Sequence, residues 1–249
     1  MPTTLALAML AAALGSGINS IAGGGTLVTF PAIVALGVPP LVANATNTVA
    51  LWPGALASMW GYRDELAGTR AWLARFTLPS LLGGAVGGWL LLATGQERFA
   101  RIVPFLVLGA TGLFMLHGPV MRWLGAGSHQ APAWLFLVCQ FAVGIYGGYF
   151  GAGIGILMLA VLGLMGHTNI HQMNGLKNWG GLCINFVAAL IFAVSGVVLW
   201  PLALAMAVGG VVGGYAGARL AQRVGQEVVR RAVVVIGLAA FVWLLARPL

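Results

Sequence analysis

Charge is scarce in this sequence. Only 6% of its 249 residues are charged, whereas 60% are hydrophobic, and the acidic residues number four. An average soluble domain is about 25% charged. So few charges could not cover the surface of a soluble protein of this length. The composition therefore excludes a soluble enzyme and a disordered chain, and it predicts a protein that is solvated mostly by the lipid bilayer.

Lysine and cysteine are scarce as well. Lys177 is the only lysine, and the other eleven basic residues are arginines near the ends of apolar runs. That distribution is typical of membrane proteins, whereas nucleic-acid binding needs basic side chains clustered on one face. Cys139 and Cys183 both lie within apolar runs, which excludes a disulfide framework and a cysteine-based metal site. We predict no nucleic-acid partner and no metal.

Long apolar runs are what the sequence does have. A helix needs about 20 apolar residues to cross a bilayer, and the strands of a β-barrel would be shorter and would alternate in polarity. We therefore predict an all-α polytopic membrane protein. The first run has no basic residue before it, so we expect a mature helix and not a signal peptide. The runs are 4–22, 26–36, 42–61, 71–94, 100–117, 133–150, 154–165, 170–194, 199–218 and 229–246.

The order of these runs repeats. AGGGTL at 22–27 resembles GAGIGI at 151–156, and NTVALWPG at 47–54 resembles NGLKNWGG at 174–181. GGAVGG at 83–88 likewise resembles GGVVGG at 209–214. Three matches in the same order predict two repeats, 1–125 and 133–249, within one transmembrane domain.

Each repeat is predicted to be a glycine-broken helical hairpin followed by three transmembrane helices. The hairpins are 4–36 and 133–165; the helices are 42–61, 71–94 and 100–117 in the first repeat and 170–194, 199–218 and 229–246 in the second. If each hairpin returns to its own side, the remaining crossings are odd in number and the two halves are inverted. Eight arginines then lie on one side and three on the other, which satisfies the positive-inside rule with both termini outside. Inverted repeats with broken helices are typical of transporters.

The two glycine breaks are candidate anion sites. A half-helix that begins inside the membrane, near Thr26 or just after Gly153, presents unbonded N–H groups and the positive end of its dipole. Inverted symmetry would bring both ends to one point. The alternative function of glycine is close helix packing, which we favour for the GGxxGG helices, either within the chain or between the copies of a homodimer.

Lys177 lies inside the run 170–194, and no acidic residue lies in any apolar run. A buried cation usually faces a cavity and a partner, so we expect an exogenous anion as its partner; the alternative is a lysine that snorkels to the interface. Polar side chains near the breaks could donate hydrogen bonds to the anion or simply join helices. The predicted substrate-binding residues are Asn19, Gly23, Gly24, Gly25, Thr26, Thr46, Asn47, Tyr146, Tyr149, Gly151, Gly153, Asn174, Lys177 and Asn178.

Catalytic machinery is not evident. His167 and His171 have a spacing that suits a metal, but without a third ligand we interpret them as interfacial residues. The sequence has neither a nucleophile–base pair nor a P-loop, so we predict no enzyme and no cofactor. Proton relays usually use carboxylates inside the membrane. Export driven by the membrane potential is therefore sufficient, and coupling through these histidines or through a protonated substrate remains open.

The break AGGGTLVTFP at 22–31, its weaker echo at 148–156 and NGLKN at 174–178 resemble the TauE/SafE family of membrane transporters. The resemblance covers nearly the whole chain. It implies a multi-pass permease of the bacterial inner membrane that exports a small sulfur-containing anion, such as sulfite, sulfoacetate or a related organosulfonate. The alternatives are an importer or channel for another small anion, and a membrane subunit that scaffolds a partner without transporting anything.

Overall fold

The computed structural model describes residues 2–61, 63, 66, 69–125, 132–167, 169–220 and 226–246. Within these residues the secondary structure consists of ten α-helices, without a strand. They are α1 (Pro2–Ala22), α2 (Thr26–Ala35), α3 (Pro40–Gly61), α4 (Arg70–Thr94), α5 (Gln96–Gly125), α6 (Ala133–Tyr149), α7 (Ile154–Leu164), α8 (Ile170–Val194), α9 (Trp200–Leu220) and α10 (Gln226–Ala246). Six of them, α1, α4, α5, α8, α9 and α10, contain an apolar stretch long enough to cross a membrane. The prediction of an all-α polytopic membrane protein is confirmed.

The fifth helix is longer than its apolar run. α5 continues to Gly125 and includes Pro119, whereas the apolar pattern predicts an end at 117. The segment that follows this proline, VMRWLG, contains residues that are compatible with a helix, so the backbone stays helical after the hydropathy falls.

Glycine ends the first helix of each half inside the protein. Gly23 adopts a φ of +84° and donates its N–H to the carbonyl of Asn19 at 3.0 Å. Gly151 adopts a φ of +81° and donates to the carbonyl of Tyr146 at 3.2 Å. The left-handed conformation, which glycine adopts without a steric penalty, closes each helix and turns the chain. The short helices α2 and α7 begin directly after these turns.

The first broken element is a hairpin. Asn19 lies beside Gly25, and Gly15 lies beside Thr29, so α2 folds back antiparallel to the end of α1. α1 and α3 are parallel, because Ser16 lies beside Gly54 and the hydroxyls of Ser20 and Ser58 are 2.7 Å apart. α2 therefore returns toward the side on which α1 begins.

The two halves are interlocked by glycine-lined helix pairs. α1 packs parallel to α9, with three contacts in register, and α4 packs parallel to α6 in the same way. The contacts are Met9 with Gly209, Ala13 with Gly213 and Gly17 with Gly217 in the first pair, and Ser80 with Gln140, Gly83 with Gly144 and Gly87 with Gly148 in the second. These glycines lie against backbone atoms of the facing helix, so their role here is close packing within one chain.

Corresponding helices of the two halves run in opposite directions where they meet. α3 is antiparallel to α8, since Trp52 packs on Phe186 while Ser58 bonds Asn178. α5 is antiparallel to α10, because Thr111 lies beside Gly237 and Gly118 lies near Arg230. In both pairs the two helices therefore cross the protein in opposite directions.

We predict that both termini lie outside the cell. α9 runs parallel to α1, and α10 follows it after residues 221–225, so the chain ends on the side where it begins. Alkaline phosphatase fused after Leu249 is expected to be active, and green fluorescent protein at the same position is expected to be dark. A bright fluorescent fusion with an inactive phosphatase fusion would contradict the orientation.

A second prediction concerns the seam between α1 and α9. A Cβ atom on Gly213 would overlap the carbonyl oxygen of Ala13, whereas a Cβ on Gly109 of α5 would meet no atom within 4 Å. Gly213→Ala is expected to lower the free energy of unfolding by about 1–3 kcal/mol through overpacking. Gly109→Ala is the matched control and is expected to stabilise by at most about 1 kcal/mol. The melting temperatures of the two variants, measured in the same detergent, test this difference. Equal melting temperatures would contradict the close packing of α1 against α9.

Candidate functional site

The two glycine breaks meet at the centre of the protein. A Cβ atom on Gly23 would lie 2.9 Å from the Cα of Gly155, and a Cβ on Gly155 would lie 2.9 Å from the Cα of Gly23. Real Cβ atoms do not approach backbone so closely, so only glycine permits this contact. It brings the beginning of α7 against the end of α1.

A small polar cavity opens beside this contact, between α1, α3, α7 and α8. It offers about 20 Å³ to the centre of a water-sized sphere, which is room for about one water molecule. Lys177 contributes its only ionisable side chain among the described residues. The other polar side chains that line it are Ser16, Asn19, Ser20, Ser58, Asn178 and Asn185. We call this space the lysine lobe.

A second lobe of the same volume adjoins the first and shares Asn19 and Asn185 with it. Its additional polar residues are Thr26 at the start of α2, and Asn47 and Thr48 on α3. The side-chain oxygen of Asn47 is buried without a hydrogen-bond partner. The central site thus contains the beginnings of both half-helices: Thr26 of α2 lines the second lobe, and Ile154 of α7 lines both lobes.

Lys177 faces the lysine lobe and not the membrane interface. Its side chain is only 2% exposed, its methylene groups lie against Gly155, and its Nζ donates to the carbonyl of Ser20 at 3.3 Å. Glycine at 155 leaves the room in which the lysine stem lies. The alternative of a snorkelling lysine does not describe this geometry.

A hydrogen-bonded chain holds three helices together beside the lysine. The hydroxyls of Ser20 and Ser58 are 2.7 Å apart, and the amide of Asn178 donates to Ser58 at 3.1 Å. Ser58 and Ser16 are absent from the predicted site. A signal for Ser58 does exist in the sequence. It lies 127 residues before Asn185, the same separation as that between the similar segments 47–54 and 174–181, and both positions line the lobe.

The electrostatic character of the site follows from its backbone as well. The first amide of α7 that donates a helical hydrogen bond is that of Ile156, which donates to the carbonyl of Gly153 at 3.0 Å. The amides of Ile154 and Gly155 therefore precede the first helical hydrogen bond. Both of these residues line the lysine lobe. A helix N-terminus carries about half a positive charge. Lys177 lies beside this helix N-terminus, and the described lining residues include no carboxylate.

Several predicted site residues have other contacts in the structure. Tyr146 donates its hydroxyl to the carbonyl of Ala152 at 2.7 Å and so stabilises the second break. Tyr149 donates to the hydroxyl of Thr94, and the hydroxyl of Thr46 accepts from the amide of Leu199. None of the three lines either lobe, and all three fix the framework.

The remaining predicted residues divide between the lobes and their surroundings. Gly23 and Lys177 line the first lobe with Asn178, while Gly151 lines the second. Gly24 faces Phe114 and Val233, Gly25 lies against Gly15, and Gly153 lies near Ala110 and Leu113. Asn174 is buried outside both lobes, and its side-chain oxygen has no hydrogen-bond partner.

His167 lies away from the central site, just before α8. Its ring packs edge-on against Trp72, with 4.5 Å between ring centroids, and its Nε2 is buried without a hydrogen-bond partner. Burial lowers the pKa of this imidazole below its ordinary value of 6.5. The side chain of His171 lies outside the described residues, and the part of the chain described contains no cluster of three metal-binding side chains.

Comparison with known proteins gives the following relationships. A family model described as sulfite exporter TauE/SafE matches residues 7–244. The chain is 30% identical over 234 residues to a probable membrane transporter protein of Haemophilus influenzae, with 93% of this chain and 90% of that protein covered. It is also 30% identical over 247 residues to the probable membrane transporter protein YfcA of Escherichia coli K12, with coverages of 94% and 87%. No solved structure matches the chain significantly.

The environment of His167 predicts a pH dependence of stability. Because its pKa is lower in the folded chain than in the unfolded chain, the unfolded chain binds more protons below the ordinary value of 6.5. Folding should therefore weaken as the pH falls from about 8 to about 5, and His167→Gln should reduce that dependence. Melting temperatures of both proteins across this range test it; identical pH profiles would contradict the assignment.

Proposed function

Since this chain belongs to the sulfite exporter TauE/SafE family and is a membrane transporter, we propose that it exports a small sulfur-containing anion across the bacterial inner membrane. The candidate substrates are sulfite, sulfoacetate and related organosulfonates, which the family resemblance implies. One observation carries the proposal: the single lysine of the chain is buried in a central cavity, beside a helix N-terminus and without a carboxylate among the described lining residues.

The lining suits a sulfur oxyanion. Such an anion presents several acceptor oxygens, and Lys177 supplies an ammonium donor. The neighbouring serine and asparagine side chains add neutral donors that do not require the burial of a second charge. In the second lobe, Asn47 and the first turn of α2 extend the same donor character. An anion that passes from one lobe to the other would remain in contact with donors.

We propose alternating access as the mechanism. The antiparallel pairing of α3 with α8, and of α5 with α10, supports two inverted repeats, 1–125 and 133–249, around an axis in the membrane plane. The central cavity has room for about one water molecule, so it must widen before it can admit a sulfite ion. Rocking of the helix pairs would open one lobe at a time.

The membrane potential supplies a driving force for export. When an anion leaves a cell whose interior is negative, its electrostatic free energy falls by about 2.3 kcal/mol per charge for each 100 mV. The described helices contribute no carboxylate to the central cavity, so a carboxylate-based proton relay has no support there.

Counterflow in proteoliposomes tests the proposal. Vesicles loaded with unlabelled sulfite should accumulate sulfite labelled with radioactive sulfur when the wild-type protein is present. Lys177→Met removes the charge but keeps a side chain of similar length. It should weaken anion binding by about 10- to 100-fold, because a hydrogen bond to a charged group contributes about 1.5–3 kcal/mol.

Arg98→Met is the matched control, because it removes an exposed positive charge near the start of α5, away from the cavity. It should leave counterflow unchanged. Equal activity of the wild type and Lys177→Met would remove the lysine from the pathway. Absence of counterflow with any sulfur oxyanion, in protein shown to be folded by its melting curve, would overturn the substrate class.

The same assay separates the alternatives. A channel would pass the labelled anion without saturation and without stimulation by the unlabelled anion on the far side. An importer would saturate but would prefer the opposite direction under a membrane potential. A scaffold subunit would bind no anion at all. The family and the names of its relatives describe transport and not catalysis.

A further inference from the structure

Among the residues that the structure describes, Lys177 has no counter-charge in the cavity. Its Nζ contacts one neutral acceptor, the carbonyl of Ser20, although an ammonium group has three N–H donors. The other described side chains that line the lysine lobe are neutral. Of the acidic residues, Glu97 lies in the first turn of α5, and Glu227 in the first turn of α10, where it pairs with Arg230 and Arg231. Asp64 and Glu65 lie outside the described residues.

The helices packed against Lys177 supply no negative charge either. The described parts of α1, α3 and α7 contain no ionisable side chain. On α6, Cys139 is a free cysteine, and the hydroxyls of Tyr146 and Tyr149 donate hydrogen bonds to other groups. On α4 the ionisable groups are Arg70 and Arg75, which are positive. On α8 they are the free thiol of Cys183 and the imidazole of His171, whose position is not described.

The beginning of α7 makes the ammonium form still less favourable. Ile154 and Gly155 direct the positive end of the α7 dipole into the same lobe as the lysine. Two positive groups in a small buried cavity repel each other, and an anion bound beside them offsets that repulsion. The protonation of the amine and the binding of an anion must therefore favour each other, and by linkage the coupling acts equally in both directions.

We propose that Lys177 carries a proton that is transported together with the anion, an inference that rests on the proposed transport function. In the empty site the amine is neutral. Entry of an anion is accompanied by the transfer of one proton from the same side of the membrane to Nζ, which forms the ammonium. On the far side the anion leaves, the ammonium releases its proton to water, and the neutral amine returns.

The proposal fixes the charge that moves in each cycle. A monovalent sulfonate would cross with one proton and therefore without net charge. A sulfite dianion would cross with one proton and a net charge of minus one. The membrane potential would then drive the export of the dianion but not that of the sulfonate.

The single lysine permits a direct measurement of its charge. Protein produced with 13C at Cε of lysine, and with a lysine-free purification tag, should give one lysine resonance, whose chemical shift reports the protonation of Nζ. Methanesulfonate is the probe, because it stays a monovalent anion throughout the accessible pH range. Lys177→Arg protein, which should lack the resonance, confirms the assignment.

We expect the shift of a neutral amine near neutral pH without the probe, and that of an ammonium when methanesulfonate is added. An ammonium in the empty protein would overturn the proposal. An amine that stays neutral while methanesulfonate binds would overturn it as well.

Transport supplies an independent readout. Vesicles that contain a pH-sensitive dye should record one proton moving with each methanesulfonate in the wild type. Lys177→Arg keeps its positive charge at all accessible pH values. Whatever exchange this variant retains should proceed without proton movement. Wild-type methanesulfonate movement without protons would overturn the coupling and leave the proposed function intact, whereas no movement of methanesulfonate or sulfite would overturn the proposed function itself.

Discussion

The contact between Gly23 and Gly155 is the constraint on which the central site depends. Each glycine lies next to a helix break, and neither position has space for a Cβ atom against the other backbone. The approach places the beginning of α7 beside the end of α1 and leaves room at Gly155 for the stem of Lys177. A side chain at either position would separate the breaks, and one at Gly155 would also displace the stem of Lys177. The two lobes therefore exist because the backbone itself, and not side-chain packing, closes the centre of the protein.

Much of this architecture could be predicted from the sequence, since the apolar runs and glycine clusters are local signals. The all-α membrane fold and the family resemblance read from AGGGTLVTFP are confirmed. The side chains around the cavity were harder to predict, because the rotation of each helix depends on its neighbours. Tyr146 resembles a ligand-binding residue in the sequence, yet its hydroxyl donates a hydrogen bond to the carbonyl of Ala152. Ser58 resembles an ordinary helix residue, yet it connects Ser20 to Asn178.

Hydrogen bonds between the two halves of the chain explain why other predicted site residues lie outside the cavity. Thr46 lies near Asn47 in the sequence, but its hydroxyl holds the amide of Leu199 at the beginning of α9. No local sequence pattern predicts a hydrogen-bond partner that is 153 residues away. The charge of Lys177, in contrast, was informative without a structure, because an unpaired cation in an apolar run has few environments in which its burial is tolerable.

The glycine-lined seams have a further consequence for folding. Each seam pairs the first helix of one half with the fourth helix of the other half, α1 with α9 and α6 with α4. Either half alone would expose a flat glycine surface with no partner, so neither half is an independent folding unit. Burial of the seams therefore requires both halves of the chain.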